Sequence, residues 1–207
     1  VRISCFIARS IRRSWQFIRT LTERLNLFDR FVLRIVAGEF ATPAQFRFWR
    51  AKVAEPVFTR LCHLLDSKQL TYEILHHSPV FTSEEAAAIR GTTLASGAKA
   101  LICKVNEQFV LIVLPADRKL ASKLARKAIG GKSLRFATKE EVLEKTSLTP
   151  GSIPPFGSLF GLPTWCDEQL AQQPQLNFNA GDHAISLKLS YETYLKAELP
   201  RIAPLAE

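Results

Sequence analysis

Three short stretches bring together residue types that could do chemistry. The first is Ser96-Gly97-Ala98-Lys99, where a lysine opens an apolar run directly after small residues. An ammonium at a strand mouth can hold a phosphate or carboxylate as a compact cation. It can equally be an edge charge that discourages strand pairing. The second stretch is Pro150-Gly151-Ser152-Ile153-Pro154-Pro155-Phe156-Gly157. It joins fixed φ angles to glycines that let backbone amides approach a ligand, although a tight structural loop would use the same residues. The third, Asn177-Phe178-Asn179-Ala180-Gly181-Asp182-His183, offers small residues and polar tips of the kind a plain turn also shows.

The standard catalytic signatures are missing from the sequence. No GxSxG elbow, P-loop, GxGxxG after a strand or HExxH occurs. The histidines are His63, His76, His77 and His183, and the neighbours His76 and His77 would face opposite ways on a strand, so no metal site is expected. No closely spaced carboxylate pair supports glycosidase chemistry. Cys5, Cys62, Cys103 and Cys166 are widely spaced, with no CxxC. Reduced thiols in a cytoplasmic protein are the expectation. Cys103 and Cys166 lack an evident histidine partner and read as buried strand cysteines. No cofactor is implied.

The elements that must position these stretches follow from periodicity and capping. A helix is expected from near Pro56, with Val57, Leu61, Leu64 and Leu65 on one side. Tyr72–Leu75 resembles a short strand. Thr82 with Glu85 three residues on fits a capping box, and Gly91 suits the position after the helix end. Ala100–Val105 and Phe109–Leu114 read as two antiparallel strands around Asn106-Glu107-Gln108. A helix with Leu120, Leu124 and Ala128 inward follows, then a short strand at Leu134-Arg135-Phe136. Thr138 and Glu141 cap another helix through Lys145. The Gly/Pro-rich segment from Thr149 carries Ile153, Phe156, Leu159 and Phe160, anchors that predict an ordered, pocket-shaping loop. Three further strands and a last helix, Tyr191–Leu199, stopped by Pro200, complete the pattern. Strands and helices mix without βαβ alternation. This predicts an α+β fold with a mainly antiparallel, curved mixed sheet flanked by helices, preceded by an N-terminal helical extension.

Charge divides the chain of 207 residues. Residues 1–52 hold eleven Lys/Arg against Glu23, Asp29 and Glu39, a net of +8, which leaves +1 for residues 53–207. Apolar positions Ile11, Trp15, Ile18, Leu21, Leu25, Phe28, Val32 and Ile35 repeat at helical spacing between arginines. Such a basic amphipathic helix fits membrane contact by residues 11–36 or RNA phosphates. Packing on the body, or translated upstream sequence, is the reading favoured over both. Methionine is absent even at position 1, which fits a non-ATG start or one set too far upstream. Neither a signal-peptide core nor a run of the roughly 20 apolar residues that span a bilayer is seen. The expected organisation is a basic extension over 1–52 and one domain over 56–200.

Several short motifs occur in a shared order. They are Tyr72–Leu75, His77-Ser78-Pro79, Thr82-Ser83-Glu84-Glu85-Ala86-Ala87, Gly97-Ala98-Lys99-Ala100-Leu101, Leu114-Pro115-Ala116-Asp117, Pro150–Gly157, Asp167 and Asn179-Ala180-Gly181. Over residues 57–199 this order resembles the YbaK/EbsC family, which includes the editing insertion of bacterial prolyl-tRNA synthetase and free-standing trans-editing proteins. The resemblance implies hydrolysis of the ester linking a wrong amino acid to tRNA, with mischarged tRNA and an aminoacyl-tRNA synthetase as partners. It implies that Lys99 binds the acceptor end and that the Gly151–Gly157 loop, with Gly151 and Ser152, serves the catalytic centre. It also implies substrate contacts from His77, Thr82, Pro154, Phe156, Gly157, Asp167, Asn179, Ala180 and Gly181, with His183 a nearby candidate. An activated ester needs a positioned water and a stabilised oxyanion more than a strong nucleophile. The alternative is a non-catalytic module that binds tRNA or an aminoacyl-adenylate. Alanine editors of the family often carry a His-Pro pair where this chain has Asn177-Phe178-Asn179, so which amino acid is edited stays open, as does the oligomeric state.

Overall fold

Residues 55–207 are described by the computed structural model. The extension over 1–52, and with it the basic helix expected at 11–36, lies outside them. Helix α1, Val57–Ser67, buries Val57, Leu61 and Leu65. Strand β1 is Glu73–His76. Helix α2, Ser83–Arg90, forms both halves of its capping box between Thr82 and Glu85, and Gly91 closes it at φ +64°. The hairpin pairs β2, Ala98–Val105, with β3, Gln108–Pro115, in antiparallel register. Then come α3 (Ser122–Ile129), β4 (Leu134–Phe136) and α4 (Lys139–Thr146), the last with the Thr138/Glu141 capping box formed. A 3₁₀ turn at Gly157–Phe160 leads to β5 (Thr164–Asp167), and a second at Glu168–Gln172 leads to β6 (Gln175–Asp182). The order ends with β7 (Ile185–Ser190), α5 (Tyr191–Glu198) and β8 (Arg201–Ala203).

The α+β class stands, with its strands divided between two sheets. One has the order β1-β7-β6 and is antiparallel throughout; the other runs β4-β2-β3-β5-β8, with β3–β5 and β5–β8 parallel. They meet at one bridge, Gly97 to Asn177. Side-chain alternation across the larger sheet builds two cores. Ala98, Ile102, Leu111 and Val113 face the smaller sheet, α1 and α5. Cys103, Val105, Val110, Ile112 and Leu114 face α3 and the chain end.

Two expectations are corrected. Helix α3 turns Ala125 inward while Leu124 is 48% exposed. The segment before it runs extended, Ala121 N–H donating to Leu205 O at 2.8 Å, so the helix starts at Ser122 and its phase shifts. Nor does the domain stop at Pro200. Strand β8 pairs with β5, and Leu205 and Ala206 are buried beneath α3. Among the described residues no helix is long and apolar enough to cross a membrane.

Candidate functional site

Strand β2 is paired on its outer edge only from Cys103 to Val105, where β4 lies. Ala137 N–H donates to Ile102 O at one end of the open stretch, and Asn177 N–H donates to Ser96 O at the other. Strand alternation turns the backbone groups of Ala100 to the same side. A cavity of about 340 Å³ lies against this open edge, walled by α2, β6 and the loop at Pro150, Gly151 and Ile153. Its lining includes Thr82, Arg90 and Lys99, and no carboxylate, histidine or cysteine.

Lys99 stands where the cavity meets the sheet's end. Its Nζ donates to Arg118 O at 2.6 Å and to Ala116 O at 3.4 Å. Burial pulls its pKa down, opposed by Asp117 and Glu84. An ammonium satisfied by carbonyls alone has no carboxylate to surrender before it accepts an anionic ligand.

The second cation was not legible in the sequence. Arg90 ends α2 half-buried, its Nε donating to Ser186 Oγ at 2.8 Å and its Nη2 donating to Asn179 Oδ1. Burial lowers its pKa to about 10, which leaves it charged at neutral pH. A guanidinium has five N–H groups, so donors remain to face the cavity. His77 Nδ1 donates to Ser78 O at 2.7 Å, which leaves Nε2 to accept from Ser186 Oγ, also at 2.7 Å. His77 thus stands behind Arg90, outside the cavity lining. Nothing local marks Arg90, because its partners lie 89 and 96 residues away.

Asn179 passes this order on. Its Nδ2 donates to Gly151 O at 2.8 Å, and Gly181 N–H donates to Ser152 O at 2.8 Å across the β6 bulge. Gly151 (φ +94°) and Gly181 (φ +89°) both occupy the left-handed region. A Cβ on Gly181 would lie 3.1 Å from Val57 Cβ, so the bulge sits directly on α1. His183 straps the loop from outside: Nδ1 donates to Val80 O at 3.0 Å, and Nε2 accepts from Thr149 Oγ1 at 3.2 Å.

Within the loop, backbone satisfaction singles out the available donors. Ser152 N–H and Oγ both donate to Thr149 O, Phe156 N–H donates to Pro154 O, and Gly157 N–H donates to Thr164 Oγ1. The N–H groups of Gly151 and Ile153 make no hydrogen bond among the described residues. Several expected site residues are therefore placed elsewhere. Ser152 is 3% exposed and closes the loop, while Phe156 is fully buried against Phe178 and Tyr194. Pro154, Gly157 and Ala180 are buried outside the lining. Asp167 is fully buried and accepts from the N–H groups of Gln169, Leu205 and Ala206 at 3.0, 2.7 and 2.8 Å. It caps the turn after β5 and pins the chain end, because those amides have no strand partner and a carboxylate supplies one. Burial pushes the thiols of Cys103 and Cys166 up to about 12, which keeps them protonated and inert.

Fold and site define an α+β pocket protein whose cavity is lined by two cations and by loop residues with unbonded main-chain N–H groups. The chain belongs to the aminoacyl-tRNA editing domain family, whose profile matches residues 77–197. It is 34% identical over 148 residues to the multifunctional Ser/Thr-tRNA deacylase ProXp-y of Escherichia coli (strain K12), covering 69% of this chain and 89% of that protein. It is 28% identical over 134 residues to the prolyl-tRNA editing protein ProX of Acetoanaerobium sticklandii, covering 62% and 82%. A crystal structure of a proposed trans-editing enzyme for prolyl tRNA synthetase superposes with a TM-score of 0.65 at 26% identity, over 75% of this chain and 99% of that one.

Proposed function

We propose that this protein hydrolyses the ester of mischarged aminoacyl-tRNA in trans, taking the acyl group into the cavity beside Lys99 and Arg90. The observation that carries the reading is that these two cations and two loop residues with unbonded N–H groups, Gly151 and Ile153, line one cavity that holds no carboxylate, histidine or cysteine. Water attacks the ester carbonyl, charge develops on its oxygen, and the bond to the ribose oxygen breaks as that oxygen takes a proton. Amides and cations fixed in advance stabilise the developing oxyanion without reorganising. The two Pro-flanked amides are the donors best placed for that oxygen. Lys99, reaching outward, suits the terminal phosphate or ribose. The substrate's own vicinal hydroxyl relays the proton, since the lining holds no carboxylate or histidine to do so.

Serine or threonine is the acyl group this reading favours. The support is the name of the relative in Escherichia coli and a polar wall, Arg90 and Asn179, suited to a side-chain hydroxyl. A site built to hydrogen-bond a hydroxyl discriminates strongly against analogues that lack one. The test is a panel of tRNAs charged with serine, threonine, alanine or proline, scored for free amino acid. Release from the seryl and threonyl esters, lost in Lys99→Ala, is the expected result. Tight retention of every ester without turnover would establish the binding module instead.

A further inference from the structure

The near-neutral charge of residues 53–207 conceals a segregated surface. Arg118, Lys119, Lys123, Arg126, Lys127 and Lys132 are all exposed and lie in one segment from the end of β3 through α3 to β4. Lys123, Arg126 and Lys127 share one face of α3 at i, i+3, i+4 spacing, opposite the buried Ala125. None of the six forms an ion pair among the described residues, whereas Lys104, Arg135, Lys145, Lys188 and Lys196 each pair with a carboxylate. The acids beside the group are Asp117 and, across the strand pairing with Lys119, Glu207. A solvated surface ordinarily mixes signs; this one keeps like charges together against their own repulsion.

The basic run starts beside the cavity. Lys99 projects from the side of β2 that also carries Cys103 and Val105 toward α3. Its ammonium bridges to Arg118 O, the first residue of the basic run, while Lys99 itself lines the cavity.

We propose that this α3 face is the docking surface for the phosphate backbone of a duplex RNA stem whose single-stranded 3′ end enters the cavity past Lys99. The proposal rests on the deacylase reading for the identity of that RNA, the acceptor stem of tRNA. Uniform cations on one helix face track phosphates without reading bases, and each phosphate neutralised steepens the salt dependence of binding.

The experiment compares the full chain with Lys123→Ala/Arg126→Ala/Lys127→Ala, whose side chains are exposed and outside the cavity lining. Binding of uncharged tRNA is titrated over a series of salt concentrations, and hydrolysis is followed on mischarged tRNA and on the same amino acid esterified to adenosine alone. Three lost phosphate contacts reduce the slope of log K against log salt by roughly 2 to 3. The expected result is that loss, a lower kcat/KM on charged tRNA, and unchanged turnover of the adenosine ester. An unchanged slope overturns the proposal. So does an equal loss on the adenosine ester, which would make the face part of the reacting site. So does a defect confined to binding of anionic lipid vesicles. If the wild type hydrolyses neither ester but the slope still falls, the docking surface stands and the deacylase reading fails.

Discussion

Arg90 reaches Asn179 across 89 residues of chain, its Nη2 donating to the Asn179 Oδ1 and so fixing which way the amide points. With the oxygen engaged, the amide nitrogen is directed at Gly151 O. One guanidinium at the end of α2 is thereby linked through Asn179 to the loop whose residues Gly151 and Ile153 line the cavity.

Removing either partner frees that loop. Arg90→Ala and Asn179→Ala are each expected to lower kcat/KM on mischarged tRNA by about 10- to 100-fold, the range for one hydrogen bond to a charged group. The double variant should be little worse than the poorer single one, because the two side chains form one hydrogen-bonded unit at the cavity. Additive losses would show independent roles. Arg90→Lys should not rescue, since an ammonium lacks the fork that spans Ser186 and Asn179.

Lys99 is held against its own solvation. A lysine whose folded pKa is lowered binds fewer protons folded than unfolded, so stability rises as pH climbs through the folded value. Below it, the charged group carries its full burial penalty. Lys99→Met should therefore abolish deacylation while its Tm at neutral pH matches or exceeds the wild type. The Tm gap should narrow toward alkaline pH. A clear drop in Tm would mark the lysine as structural.

Asp167 works in the opposite sense. Its carboxylate serves three buried amides, two of them in the terminal segment. Asp167→Ala leaves those donors unpaired and should cost about 3–5 kcal/mol in denaturant unfolding. KM for charged tRNA should be preserved at permissive temperature. A raised KM with unchanged stability would restore the substrate contact expected from the sequence.

Gly151→Ala tests the loop itself. The left-handed φ of +94° disfavours a Cβ, and that Cβ would stand 3.1 Å from His183 Cε1. The strap from Val80 to Thr149 must then shift. The expected outcome is a stability loss of about 1–2 kcal/mol with a larger fall in kcat than in Tm would suggest. His183→Ala in the same background should recover stability in part by opening space.

Much of the fold could be read locally. The two capping boxes, the hairpin around Asn106 and the apolar anchors Ile153 and Phe156 all stand where their residue types place them, because each is decided within a few positions. The misreadings share one cause. Leu124 fits a helical stripe, but the stripe's phase depends on where the helix starts, and Leu205 decides that from across the domain. Asp167 sits at a strand end like a ligand contact, and only the returning chain end shows what it binds. Cys166, on β5, needed no tertiary partner to be read as buried.

What the sequence determined alone was the α+β class, the family order of motifs and the place of Lys99, since these rest on local periodicity and on a run of short matches. The tertiary structure decided which of the loop's amides remain free, that Arg90 joins Lys99 at the cavity, and that the cations of α3 stay exposed without an ion pair among the described residues. Hydrogen-bond satisfaction and electrostatic neighbourhood are properties of distance in space, and residues 89 and 96 positions apart acquire them only when the chain closes.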